Sequence, residues 1–139
     1  MVVLNSLQQF WKNPSCPTKF KLLVHDAVIR SKLIYGLDSL CLTAADVSRL
    51  NTFQLKGLRK ILNMKTTFVD RSNTNNTVLA AASQVRNPKR LPNKDFTPYG
   101  QLILNTQQKL LTHIARAPES DPMRPVSYTH LTLPTILRV

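Results

Sequence analysis

Acidic side chains are scarce in this sequence: seven Asp and Glu stand against nineteen Lys and Arg, giving a formal charge of +12. Such an excess attracts polyanions and repels further copies of the chain, so nucleic acid is the natural partner. Long apolar runs are also missing. Nothing approaches the ~18 residues that span a bilayer, and no membrane partner is expected. The opening MVVLNSLQQFWK lacks the basic start, apolar centre and small-residue cleavage site of a secretory signal, so an intracellular location is expected. Two cysteines, Cys16 and Cys41, are too few for a disulfide framework and have no partners at zinc spacing. They read as ordinary, part-buried thiols.

Catalytic groupings are equally sparse. Asp26, Asp38, Asp46, Asp70, Asp95, Glu119 and Asp121 are scattered, whereas two-metal chemistry needs carboxylates converging on the ions. Only Glu119 and Asp121 lie close, in a Pro-flanked turn, APESDP, that reads as solvated. His25, His113 and His130 stand alone, and an isolated His is far more often packed or solvated than catalytic. Ser31 and Ser39 sit in no nucleophile elbow, and the three glycines form no phosphate-binding loop. The expectation for this chain alone is no catalytic residue, no metal, no cofactor and no small-molecule substrate.

What the chain does contain is helical periodicity, on a length that suits one domain. Val2 to Lys12 reads as a short helix stopped at Asn13-Pro14. A longer one starts near Pro17, carries Phe20, Leu23, Val24, Ala27, Val28, Ile34 and Tyr35 at a period near 3.6, and ends on a glycine cap at Gly36. Thr43 can cap a third helix, about Ala44 to Asn63, with Asp46 near its positive end. On a helical wheel, Val47, Leu50, Gln54, Leu58 and Ile61 share one side. Arg49, Thr52, Lys56, Lys60 and Asn63 lie opposite, with Arg59 beside them. Lys65 and Arg71 follow in a Thr-, Asn- and Ser-rich loop, before Asn75 or Asn76 opens a small helix through Val78 and Leu79 to Ala82. Arg86 to Pro98, with three prolines and four basic residues, reads as an exposed linker. Leu102, Ile103, Thr106, Leu110, His113 and Ile114 mark a last helix before Pro118. The predicted fold is an all-α bundle of four or five helices, with a core of Phe20, Leu23, Val24, Val28, Tyr35, Val47, Leu50, Leu58 and Ile61. The last fourteen residues, VSYTHLTLPTILRV, resemble translated sequencing-adaptor DNA and are set apart as a non-native, disordered tail.

Several short motifs stand in a telling order: Lys19-Phe20-Lys21, SKLIYGLDSL at Ser31 to Leu40, Leu42-Thr43, LNTFQLKGLRKIL at Leu50 to Leu62, TNNTVL at Thr74 to Leu79, and QKLLTHIARAPESDPMR at Gln108 to Arg124. Together they resemble non-LTR (LINE-type) retrotransposon reverse transcriptases. The similar part there is the thumb and following helical region, carboxy-terminal to the catalytic palm, with a Y-G-x-E-x-W-x-L-T-like stretch and then F-Q-x-x-x-L-R-x-I-L. Asp38 stands at that family's acidic position and Leu40 near its Trp position, as in a divergent or drifted copy. The resemblance implies a piece of an RNA-directed DNA polymerase that lacks its palm, begins at an internal methionine and works in the nucleus. It divides the chain into a thumb-like helical region (1–85), a basic Pro-rich linker (86–98), a C-terminal helix and turn (99–125) and the non-native tail (126–139).

A Lys-rich helix face is often no more than a solvated face, but ordinary solvated faces mix signs and this one has almost no acids. A thumb helix beside a template–primer duplex would use such cations to position phosphates without reading sequence. The expected nucleic-acid-binding residues are therefore Arg49, Lys56, Arg59, Lys60, Lys65 and Arg71, and the expected partners an RNA or RNA–DNA duplex and the missing palm. Among aromatics, Phe10, Trp11, Tyr35 and Phe53 are assigned to the core, and Phe68 and Tyr99 to base stacking. The alternatives are a stand-alone basic RNA-binding structural protein and a non-functional translated relic.

Overall fold

The computed structural model of the chain describes residues 5–91 and 95–116, so the APESDP turn, Val2 to Leu4, His130 and the tail from Val126 lie outside the described residues. Helix α1 (Gln8–Lys12) is followed by α2, in which Thr18–Val24, a wider π-type stretch His25–Arg30 and Ser31–Ile34 run on from one another. Gly36, at φ +77°, turns the chain out of α2 in the left-handed region that a side chain disfavours, as the sequence led one to expect. After a 3₁₀ turn at Leu37–Ser39 come α3 (Ala44–Leu62), α4 (Asn75–Arg86) and α5 (Tyr99–Ala115). Every regular element among the described residues is helical, and the chain is a small all-α fold.

Helix α3 is the central element, packed by α2, α4 and α5, while α2 also meets α4 and α5 also meets the 3₁₀ turn. Trp11 from α1, Leu22 from α2, Leu55, Leu58 and Ile61 from α3, Val78 and Ala82 from α4, and Phe96 ahead of α5 form one apolar cluster. Helix α5 begins after Pro98, which offers no side-chain cap, so its first N–H groups need partners from elsewhere. Helix α3 supplies them. Gln54 Oε1 accepts from Tyr99 N at 3.0 Å, Asn51 Oδ1 accepts from Gly100 N at 2.8 Å, and Gln54 Nε2 donates to Thr97 O at 2.8 Å. The start of α5 is thereby stitched to the middle of α3, with Gly100 close against the Val47 side chain.

The rotation of α2 corrects the expected core. Leu58 and Ile61 are buried as anticipated, and Val24, Val28, Val47 and Leu50 are partly buried. Phe20 is 51% exposed, however, Leu23 is also exposed, and Tyr35 is 91% exposed. The inward face of α2 consists instead of Lys21, Leu22, His25 and Ile29. Lys21 buries its alkyl stem and donates from Nζ to Trp11 O at 2.8 Å and Asn13 O at 2.7 Å, satisfying carbonyls at the end of α1. A lysine and a histidine at the centre of the buried stripe disguise it in the sequence, and α2 is left with an apolar outer side. Of the two thiols, Cys16 is half-buried but Cys41 is exposed, contrary to expectation.

The segment expected to be an exposed linker is only partly one. Helix α4 runs four residues beyond Ala82, and Arg86 at its end lies 5.0 Å over the Phe96 ring while pairing with Asp26 at 2.8 Å. Asn87 is buried, donating to Leu91 O and accepting from Leu91 N. Phe96 N donates to Ser83 Oγ at 2.9 Å, which helps hold its ring in the core. Lys89 and Arg90 remain exposed. In α5, Ile103 and Ile114 are buried, whereas Leu110 and His113 face outward.

Gly57 of α3 faces the buried His25 ring so closely that a Cβ there would lie 2.5 Å from Nε2. Gly57→Ala should therefore destabilise the fold by about 1–2 kcal/mol, overpacking outweighing the helix-propensity gain of Ala. A lower urea midpoint at unchanged m-value is the expected result; a raised midpoint would show that the ring moves aside freely.

Candidate nucleic-acid interface

The basic side of α3 starts from a well-defined helix end. Thr43 Oγ1 accepts from Asp46 N at 3.2 Å, and Asp46 Oδ2 accepts from Thr43 N at 3.2 Å, closing a reciprocal capping box. The Thr43 hydroxyl, then its backbone N–H, and to a smaller degree Arg49, hold the Asp46 carboxyl below the usual range. From there, Arg49, Thr52, Lys56 and Lys60 follow one another along the solvent side of the helix, all exposed. At 1.5 Å rise per residue the ridge from Arg49 to Lys60 is about 16 Å long. Leu55, Leu58 and Ile61 anchor the other side of the same helix in the core.

The six expected phosphate-binding residues do not share one environment. Lys56 and Lys60 are exposed and make no hydrogen bond or ion pair with the described residues. Arg49 is exposed and only loosely paired, at 3.9 Å, with Asp46. Arg59 departs from expectation: it is half-buried, and its guanidinium donates to Asn73 O at 3.2 Å and Asn75 Oδ1 at 3.0 Å. Both bonds come from Nη2 and run to the loop that follows the helix, and the buried Nε has no partner among the described residues, so Arg59 is placed as a loop anchor rather than as a free phosphate contact.

That loop continues the ridge. Asn63, at φ +55°, closes α3 in the left-handed region, and Met64 packs against the core. Lys65 and Arg71 are exposed, and between them the chain turns through Val69 N to Thr66 O at 3.0 Å and Asp70 N to Thr66 O at 2.9 Å. Asn73 Nδ2 donates to Lys65 O at 3.1 Å, tying the two ends together. Asp70 accepts from the Ser72 hydroxyl at 2.7 Å and the Ser72 N–H at 3.0 Å, which hold its carboxyl below the usual range. Phe68, 97% exposed, stands at the tip. Tyr99, the other aromatic assigned to stacking, is buried instead, and burial pushes its hydroxyl's pKa upward, as does the nearby Asp26 charge.

Asp26, Asp46, Asp70 and Asp95 are each engaged locally rather than gathered. Asp26 pairs with Arg30 and Arg86, Asp46 with its cap, Asp70 with Ser72, and Asp95 accepts from Asn87 Nδ2. Among the described residues no three His, Cys, Asp or Glu side chains come together where they could hold a metal ion. No described helix is long and apolar enough to cross a membrane. Sequence reasoning missed Asn73, which organises the loop from both its side chain and its carbonyl; a single Asn in a polar stretch carries no signal of that role.

Neither a family model, nor a curated protein, nor a solved structure matches the chain.

Proposed function

We propose that this chain holds nucleic acid through the ridge formed by Arg49, Lys56, Lys60, Lys65 and Arg71, as part of a retrotransposon reverse transcriptase whose catalytic palm lies on other polypeptide. The observation that carries the binding half of this reading is the row of exposed cations on α3 and its following loop, anchored from beneath by Leu55, Leu58 and Ile61. A stiff helix fixes the spacing of its cations, and phosphate contacts position a strand without reading its sequence. RNA or an RNA–DNA duplex is the proposed partner, and Arg59 is reassigned from contact to support. The polymerase half rests on the motif order described above. It is tested separately by the DNA upstream of Met1: an open frame encoding a palm with paired aspartates supports it, and a promoter and true start codon there would remove it in favour of a stand-alone RNA-binding protein.

The binding half is tested by Lys56→Glu, Lys60→Glu and Lys65→Glu together in the full chain, with affinity for RNA measured across a salt series. The slope of log K against log salt should become shallower by roughly 0.7 to 0.9 per lost contact, with helical circular dichroism unchanged. An unaltered slope would take these residues out of the interface.

A further inference from the structure

The loop beyond α3 presents an aromatic ring that the fold does not use. Phe68 is 97% exposed and its neighbour Val69 is exposed too, so neither contributes to the core. An exposed tip of this kind would ordinarily be slack, yet this loop is fastened at several points. Arg59 holds Asn73 O and Asn75 Oδ1 from the helix side, Asn73 Nδ2 bridges to Lys65 O, and the Thr66–Asp70 turn closes on its own backbone. Met64 fixes the near end in the core. The ring is thus carried on an ordered platform, with the exposed cations Lys65 and Arg71 three residues to either side. The one acid in the loop, Asp70, has its carboxylate occupied by Ser72 and Asn73.

We propose that Phe68 is a base-stacking site for an unpaired nucleotide, with Lys65 and Arg71 gripping the adjoining phosphates, so that the ridge leads a single strand of RNA or DNA onto the loop. This rests on the ridge being a phosphate-binding surface and names the kind of nucleic acid its end accepts. A base inside a duplex is already stacked on both faces, whereas a single strand offers a free face to any flat apolar ring. Stacking accepts every base, which suits an interface otherwise made of phosphate contacts. An aromatic between two cations also discriminates against a purely electrostatic partner, since neither charge alone rewards the ring.

The test compares Phe68→Ala and Phe68→Trp in the full chain. Binding is measured to a single-stranded RNA carrying 2-aminopurine and to a blunt RNA–DNA duplex of equal length. Phe68→Ala should weaken single-strand binding roughly 5- to 150-fold and remove the change in 2-aminopurine emission that binding produces, while leaving duplex affinity as it was. Phe68→Trp should keep the affinity and, its indole being readily oxidised, quench the 2-aminopurine. Unchanged single-strand affinity in Phe68→Ala, the outcome if the ring serves a protein partner, overturns the stacking site and leaves the ridge standing. Equal loss on both substrates also overturns it, because the ring would then be supporting the loop. A wild-type chain that binds neither substrate removes both readings.

Discussion

Lowering the pH from 6.5 to about 4 should cost the fold about 3 kcal/mol through one side chain, His25. Its ring is fully buried, edge-on to Trp11 at 6.3 Å between ring centres, and neither ring nitrogen has a hydrogen-bond partner among the described residues. Burial pushes its pKa down from the ordinary 6.5 to about 4, with the neighbouring Asp26 charge offsetting part of that. The unfolded chain takes up the proton at the higher pH and the folded chain only at the lower one. The contribution is therefore intact above 6.5 and drains away as the pH falls towards 4. Urea unfolding at a series of pH values reads it directly, with His25→Leu as the comparison, because only the slope matters and not the cavity the change leaves. Stability that stays level across this window, or an identical slope in His25→Leu, would mean the ring is solvated.

Leu58→Ala should remove about 2–5 kcal/mol, the usual cost of emptying a well-packed site. Leu58 is fully buried in the middle of α3, in the same cluster as Trp11, Leu22 and Val78. It lies on the buried side of the same helix that carries the ridge. For a domain of this size such a loss is a large part of the total stability. The informative contrast is with the ridge variant Lys56→Glu, Lys60→Glu, Lys65→Glu. Leu58→Ala should lose stability first and nucleic-acid binding only as the fold is lost, while the ridge variant loses binding with the unfolding midpoint held. Leu58→Ala with an unmoved midpoint would place the core elsewhere.

Helix α3 was legible in the sequence because its signals are local. Thr43 and Asp46 sit at capping-box spacing, Leu58 and Ile61 repeat on one side, and Arg49, Lys56 and Lys60 repeat on the other. Gly36 was legible for the same reason. Helix α2 was not, because its orientation is decided by distant partners: Lys21 turns inward only because the carbonyls of Trp11 and Asn13 lie within reach of its ammonium. His25 fits because α3 offers a glycine opposite it. A periodicity argument assigns both to the wet side and then places Phe20, Leu23 and Tyr35 inside. The half-buried place of Arg59 was hidden for the same reason, since its partners Asn73 and Asn75 lie fourteen and sixteen residues on. Phe68 and Tyr99 looked alike in the sequence. Tyr99 is drawn in where Gln54 accepts from its N–H and donates to the Thr97 carbonyl, and nothing local distinguishes it from a ring left in water.

The most direct measurement is the affinity of the intact chain for single-stranded RNA as salt is raised. Five exposed cations acting as phosphate contacts should give tight binding in dilute buffer that falls with a log–log slope of about −3 to −4. Binding that is undetectable in dilute buffer, or that is indifferent to salt, would contradict the account.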